Sequence, residues 1–204
     1  MMKSVVRPVA VLGIASIFAT MSASGAHAED APSTEELLQK CDGADYCEFT
    51  PTSNEPFLSK SEQVSPMSPN CNQSIVDLQA DWSQTKGSSD SVGGSVTASS
   101  GVMGLFEASI EINYNHTWTT TDTKGGRLTV HIGPNELGYV TRATPMSRVT
   151  GTYELHFGDR LDGHYYWFTP PVTVEGPDPA RVADEVVQGH TRPMSPEETA
   201  LYCS

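Results

Sequence analysis

The most regular pattern in the chain runs from Phe106 to Trp118. There Phe106, Ala108, Ile110, Ile112, Tyr114, His116 and Trp118 alternate with Glu107, Ser109, Glu111, Asn113, Asn115 and Thr117. A period of two puts one set of side chains on each face of a pleated strand, so the stretch predicts a long β-strand with one buried and one wetted face. One-sided burial suits an antiparallel sheet. Other runs agree with it. Leu128, Val130 and Ile132 share a phase after the turn signal Lys124-Gly125-Gly126, and Val149, Gly151, Tyr153, Leu155 and Phe157 share another. Short apolar strands are expected at 165–169 and 172–174, on either side of Pro170-Pro171. Ile75 to Leu78 and Trp82 open the β region. Between them and the long strand, residues 91–100 alternate small apolar and hydroxyl residues, which suits a loose hairpin, a surface loop or a weakly buried strand. The expected fold class is all-β: an antiparallel β-sandwich or elongated sheet, stabilised by disulfides.

Helical signals lie at the two ends. Ser33 and Glu36 have the spacing of a capping box before Leu37 and Leu38, and that helix is expected to end near Cys41. Ser195-Pro196-Glu197-Glu198 is a second start signal, running to Cys203, and 181–188 is a weaker one before Gly189. Between the first helix and the β region, Pro51, Pro56, Pro66 and Pro69 break up a segment with few large apolar residues, so it reads as an extended stretch with no core of its own. The expected parts are a signal peptide over 1–28, a polar N-terminal arm over 29–70, and an antiparallel β domain with a short helical tail over 71–204.

The signal peptide rests on Lys3 and Arg7, an apolar run from Val9 to Phe18, and Ala26-His27-Ala28, after which cleavage is expected. A secreted, extracellular protein follows. Removing residues 1–28 takes Lys3 and Arg7 and no carboxylate, which moves the net charge from −13 to −15. Phosphate recognition needs clustered Lys and Arg, so neither nucleic acid nor an anionic lipid surface is an expected partner. Cys41, Cys47, Cys71 and Cys203 all follow the cleavage site, and an even count in an oxidising compartment reads as two disulfides. Of the three pairings, Cys41–Cys47 with Cys71–Cys203 is preferred, the second closing a long loop worth about 4–5 kcal/mol in the chain-entropy model.

No catalytic constellation is visible, and no enzyme activity, cofactor or metal is expected. His116, His131 and His156 lie on expected strands without a second ligand nearby in sequence. There is no G-x-S-x-G turn to expose a serine nucleophile. Glu107 and Glu111 share a strand face, where carboxylates ordinarily serve solubility and edge protection. Tyr165-Tyr166-Trp167-Phe168 stands out among the aromatics, because consecutive strand residues cannot all face one core.

Two resemblances bear on function. The Ser/Gly/Thr-rich stretch before the alternating strand, the end of that strand at Tyr114-Asn-His-Thr-Trp118-Thr-Thr-Thr, and the segments Pro134-Asn-Glu-Leu-Gly-Tyr139 and Arg148-Val-Thr-Gly-Thr-Tyr153 resemble the elongated β module of aerolysin-type pore-forming toxins. That resemblance implies a hydroxyl-rich segment that refolds into a membrane hairpin. The second is organisational. An exported, cysteine-bearing arm joined to a β domain resembles the adaptor subunit of actinobacterial umbrella toxin particles. It implies a non-enzymatic scaffold in an extracellular antibacterial toxin complex used in interbacterial competition, with an arm that docks other secreted proteins of the assembly. Lys40, Phe49, Phe57, Leu58 and Lys60 are the arm residues that would make such contacts. The adaptor is the leading expectation and the pore former the alternative; only the alternative involves a membrane.

Overall fold

The described residues, 31–204 of a computed structural model, begin with the capping box that the sequence signals. Helix α1 (Thr34–Lys40) starts where the Ser33 hydroxyl accepts the Glu36 N–H and the Glu36 carboxylate accepts the Ser33 N–H at 2.7 Å. Its Leu37 and Leu38 are buried. The expected signal peptide, with its cleavage site after Ala28, lies outside the described residues.

Three strands come next: β1 (Tyr46–Leu58), β2 (Glu62–Gln63) and β3 (Ser68–Pro69). Then β4 (Val76–Gly87) leads through β5 (Ser89–Asp90) into helices α2 (Ser95–Ala98) and α3 (Ser100–Tyr114). Strands β6 (Thr121–Ile132), β7 (Glu136–Ala143), β8 (Pro145–Leu161), β9 (His164–Phe168), β10 (Val172–Pro177) and β11 (Val186–Pro193) follow, and α4 (Pro196–Tyr202) ends the order.

These strands make three antiparallel sheets. The largest has the order β1-β8-β10-β5, with β9 also on β8; a second has β11-β7-β2, with β3 also on β7; the third is the pair β4-β6. Three stretches of chain pass through both larger sheets, since β1 and β2, β7 and β8, and β10 and β11 are successive strands. One core lies between the β1-β8-β10 sheet and the helices, around Phe49, Phe106, Ile110, Tyr153 and Leu155. The smaller core joins β4-β6 to the β7 sheet through Ala80, Val130, Ile132 and Val140. The mostly antiparallel β class is therefore the one the alternation predicts.

The disulfides are Cys41–Cys47 and Cys71–Cys203, the preferred pairing. The first ties the end of α1 to the start of β1. The second spans 132 residues and pins the C-terminal end of α4, whose capping box between Ser195 and Glu198 is complete. Arg192 grips the Glu198 carboxylate at 2.6 Å and, with the Ser195 N–H, holds it down at about 2.

Four expectations need correction. The described part of segment 29–70 is no arm without a core, because β1 pairs with β8 along its length and Phe49 is 1 % exposed. The prolines Pro51 and Pro56 are compatible with this because β1 is an edge strand, where a missing N–H leaves no gap in a ladder. Phe106 to Tyr114 is the greater part of helix α3, not a strand. Gly125 and Gly126 are no turn but lie inside β6, where a Cβ on Gly126 would meet the Trp82 indole at 3.2 Å. Last, 181–188 holds a 3-10 turn over Pro179–Asp184 and then β11, whose Val186 and Val187 pair with β7.

Candidate functional site

The excursion between β4 and β6 contributes only the two-residue strand β5 to the sheets. The two strands pair in an unbroken antiparallel register from Val76↔Ile132 to Gly87↔Thr121, and the chain then leaves as β5, α2 and α3 before returning. Helix α3 lies against β1 and fills the larger core with Val102, Met103, Phe106 and Ile110. Ser109 donates its hydroxyl hydrogen to the Phe49 carbonyl at 2.6 Å, and Tyr153 reaches from β8 to the Val102 carbonyl. Burial, with the charge of Asp90 nearby, pushes the Tyr153 phenol well above its usual range, so it remains a donor.

Two periods coexist in α3. Val102, Phe106 and Ile110 are four apart, so they share a face of a helix and also a face of a strand. Tyr114 packs on the same core, but two members of the alternating set do not fit the helical face. Ala108 is exposed, and Ile112 is 83 % exposed, an aliphatic side chain held in water. Helix ends tell the same story. Helices α1 and α4 carry complete capping boxes, whereas α3 has no side-chain cap at Ser99, no acidic residue in its first turn and no basic residue in its last. Glu111 sits near the negative end of its dipole. A missing cap forgoes about 1 kcal/mol.

The return segment is also under-satisfied. After α3 ends at Asn115, in the left-handed region with φ 50°, His116 and Trp118 turn into the protein. Trp118 packs edge-on to Phe106 at 4.9 Å. Among the described residues neither His116 Nε2 nor Trp118 Nε1 finds a hydrogen-bond partner, although both atoms are buried. Each such atom costs about 1–3 kcal/mol that water would return.

Two polar devices hold the excursion at its start and its root. Asp90 accepts the N–H groups of Val92 (2.8 Å), Gly94 (3.1 Å) and Thr97 (3.0 Å) and the Thr97 hydroxyl. Burial pushes its carboxyl up, but these bonds outweigh burial and hold it below the ordinary aspartate value. A depressed pKa in the folded state contributes stability that is present above the unfolded value and is lost as pH falls through the folded one. Asp90→Asn is therefore expected to loosen the excursion by about 1 kcal/mol at pH 7, the low end for bonds to a charge because solvent screens a partly exposed group. The gap between native protein and variant in urea melts should shrink as pH drops below 4.

At the root stands Arg142 on β7, 0 % exposed. Its guanidinium donates to Glu185, to Asp122 on β6 at 3.0 Å and to Gln84 on β4 at 3.2 Å, and it lies 5.7 Å from the centre of the Trp82 ring. A buried charge paired this way is costly to separate from its carboxylates. The roots of β4 and β6 are thus fixed to the β7 sheet, while the excursion beyond them is held by apolar packing, the Asp90 carboxylate, the short β5–β10 pairing and the bonds of Ser109 and Tyr153.

The residues expected as arm contacts are scattered. Lys40, Leu58 and Lys60 are exposed, Phe57 is partly buried beside the Arg148 guanidinium, and Phe49 is inside the core. Among the described residues no group of three metal-ligating side chains is close enough to hold an ion. Ser147, Asp178 and His116 do meet, but the serine donates to Asp178 at 3.1 Å while His116 lies 3.8 Å from the same carboxylate, so the carboxylate, and not the imidazole, faces the serine. The aromatic run divides as its phase requires. Trp167 packs on the core, Tyr166 and Phe168 are exposed on the other face, and Tyr46, His156 and Tyr166 form one row across β1, β8 and β9.

Among solved structures the chain is similar to a putative pore-forming toxin from Bacteroides vulgatus ATCC 8482, with 9% identity, 75% of this chain and 57% of that chain covered, and a TM-score of 0.28. It is also similar to the parasporin-2 toxin of Bacillus thuringiensis that recognizes cancer cells, with 12% identity, 79% and 80% covered, and a TM-score of 0.23. The chain spans less than two thirds of the first of these. No family model matches it. No curated protein matches either.

Proposed function

We propose that this is a secreted pore-forming protein, acting by insertion rather than catalysis, in which the excursion 88–120 unfolds from the core and refolds as a membrane-spanning β-hairpin. One observation carries the reading: the register of β4 and β6 runs straight into it. Continued one residue at a time past Gly87↔Thr121, that register pairs Val92 with His116, Val96 with Ile112, Ala98 with Ile110 and Val102 with Phe106, and it closes at Gly104. Every even-numbered residue of both strands then lies on one face.

That face is apolar where a bilayer would lie. It gathers Val92, Val96, Ala98 and Val102 with Phe106, Ala108, Ile110, Ile112 and Tyr114, and its only charged residue is Asp90 near the root. The other face gathers Ser91, Ser95, Thr97 and Ser99 with Ser109, Asn113, Asn115 and Thr117. Alternation over some ten residues, apolar toward lipid and polar toward a lumen, is the pattern of a transmembrane barrel strand. Trp118 and Tyr114 fall at the root end, the level of an interfacial aromatic girdle. A single hairpin cannot satisfy its outer edges in lipid, so several copies must close a barrel.

The adaptor reading rests on an arm that docks a partner, and the described part of that segment is built into this chain's own sheet. The pore reading is tested by adding purified protein to dye-loaded neutral liposomes. Leakage accompanied by large homo-oligomers is the expected result. Protein that stays monomeric on the vesicles and releases no dye would overturn it.

A further inference from the structure

The hairpin register has a consequence for what passes through the pore. We infer that Glu107 and Glu111 line its lumen as two rings of carboxylates and make it selective for inorganic cations. This rests on the pore reading and adds the class of ion to it.

The chain has no lysine or arginine from Gly87 to Thr121, and its only charged residues there are Asp90, Glu107 and Glu111. Asp90 is even-numbered and falls at the root, on the lipid-side phase. Glu107 and Glu111 are odd-numbered and fall on the polar face, where the continued register sets them opposite Gly101 and Thr97. Their neighbours on that face are serine, threonine, asparagine and glycine, with Met103 and Leu105 toward the turn; all are neutral and offer no compensating charge. Four residues of strand separate the two carboxylates, about 13 Å.

The nearest basic groups on that face lie beyond the root, and each is already paired. Arg127 is bonded to Asp81 at 2.7 Å and His131 to Asp77 at 2.6 Å. Between them and the excursion the face carries Thr85 and Thr123, bonded to each other at 2.9 Å. Every copy in a closed barrel therefore contributes two unpaired negative charges to a lumen with no positive ones. Rings of this kind concentrate cations and repel anions.

In α3 the same two glutamates are one helical turn apart, and Glu111 is exposed. Among the described residues neither carboxylate has an ion-pair or hydrogen-bond partner, so Glu107→Gln with Glu111→Gln should fold as the native protein does.

The experiment is a planar bilayer held between concentrated and dilute potassium chloride. Native protein should open channels whose reversal potential reports a several-fold preference for potassium over chloride. The double glutamine variant should conduct with most of that preference gone, and Asn113→Lys, which adds a cation to the same face, should shift the ratio toward chloride. Native channels that conduct without preference, or a preference that survives the double substitution, would overturn the assignment and leave the pore standing. Absence of any channel would overturn the pore reading, and the ion selectivity with it.

Discussion

Ile112→Lys is expected to abolish membrane leakage while leaving the soluble protein folded, and Asn113→Lys, one residue away, is expected to preserve leakage. In α3 both side chains are exposed, so either lysine meets water; Ile112→Lys should change stability by less than about 0.5 kcal/mol, and Asn113→Lys, which loses the amide's bond to the Ser109 carbonyl at 2.9 Å, by about 1 kcal/mol. In the hairpin they part company. Residue 112 faces lipid opposite Val96, and a lysine near the bilayer midplane costs about 2–4 kcal/mol for every copy in the barrel. Residue 113 faces the lumen opposite Ser95, where the charge stays hydrated. Dye release by Ile112→Lys should fall at least about thirtyfold at equal dose, since 2 kcal/mol is about that factor. Equal loss in both variants would mean that α3 acts as a helical surface.

Phe49→Ala should destabilise the soluble fold by about 3–5 kcal/mol, measured by urea unfolding at neutral pH. Phe49 lies between Phe106 of α3 at 5.0 Å and Tyr153 of β8 at 4.9 Å, so its removal opens a cavity where helix and sheet meet. A surface anchor on a free arm would cost under about 0.5 kcal/mol at the same position. Because Phe49 holds α3 down, the variant should also leak vesicles at a lower dose if enough of it remains folded.

The two results bear on how far the sequence could be read. Local rules were legible wherever one rule acted alone. The Ser33 and Ser195 capping boxes and the alternation through Leu128 to Ile132 and Val149 to Phe157 all follow from neighbours within a few residues. Phe49 was hidden for a different reason. Pro51 and Pro56 make its segment read as an extended spacer, and only pairing with β8, about a hundred residues later, shows that proline is tolerated there because β1 is an edge. Gly125-Gly126 misleads in the same way: glycine reads as a turn, but at this point it makes room for Trp82 from the opposite strand.

The excursion is the instructive case. Its alternation predicts a strand over 106–118, and the soluble fold makes most of that a helix because Val102, Phe106 and Ile110 satisfy both periods. Met103 and Ser109 then join the helical face, and tertiary burial overrides the local pattern. What remains unexplained by the soluble fold is why Ala108 and Ile112 keep the strand phase. The pore account explains it by a second structure in which that phase is used. The register that sets this structure is invisible in the sequence and plain once β4 and β6 are seen to pair.

The central claim is that 106–118 becomes a strand in the membrane, and single cysteines carrying an environment-sensitive dye test it most directly. Placed in turn at each position of the excursion from Leu105 to Thr117 and read on vesicle-bound protein, the label should report lipid at even positions and water at odd ones. Emission that repeats every three to four residues, or that stays unchanged from the soluble protein, would contradict the account.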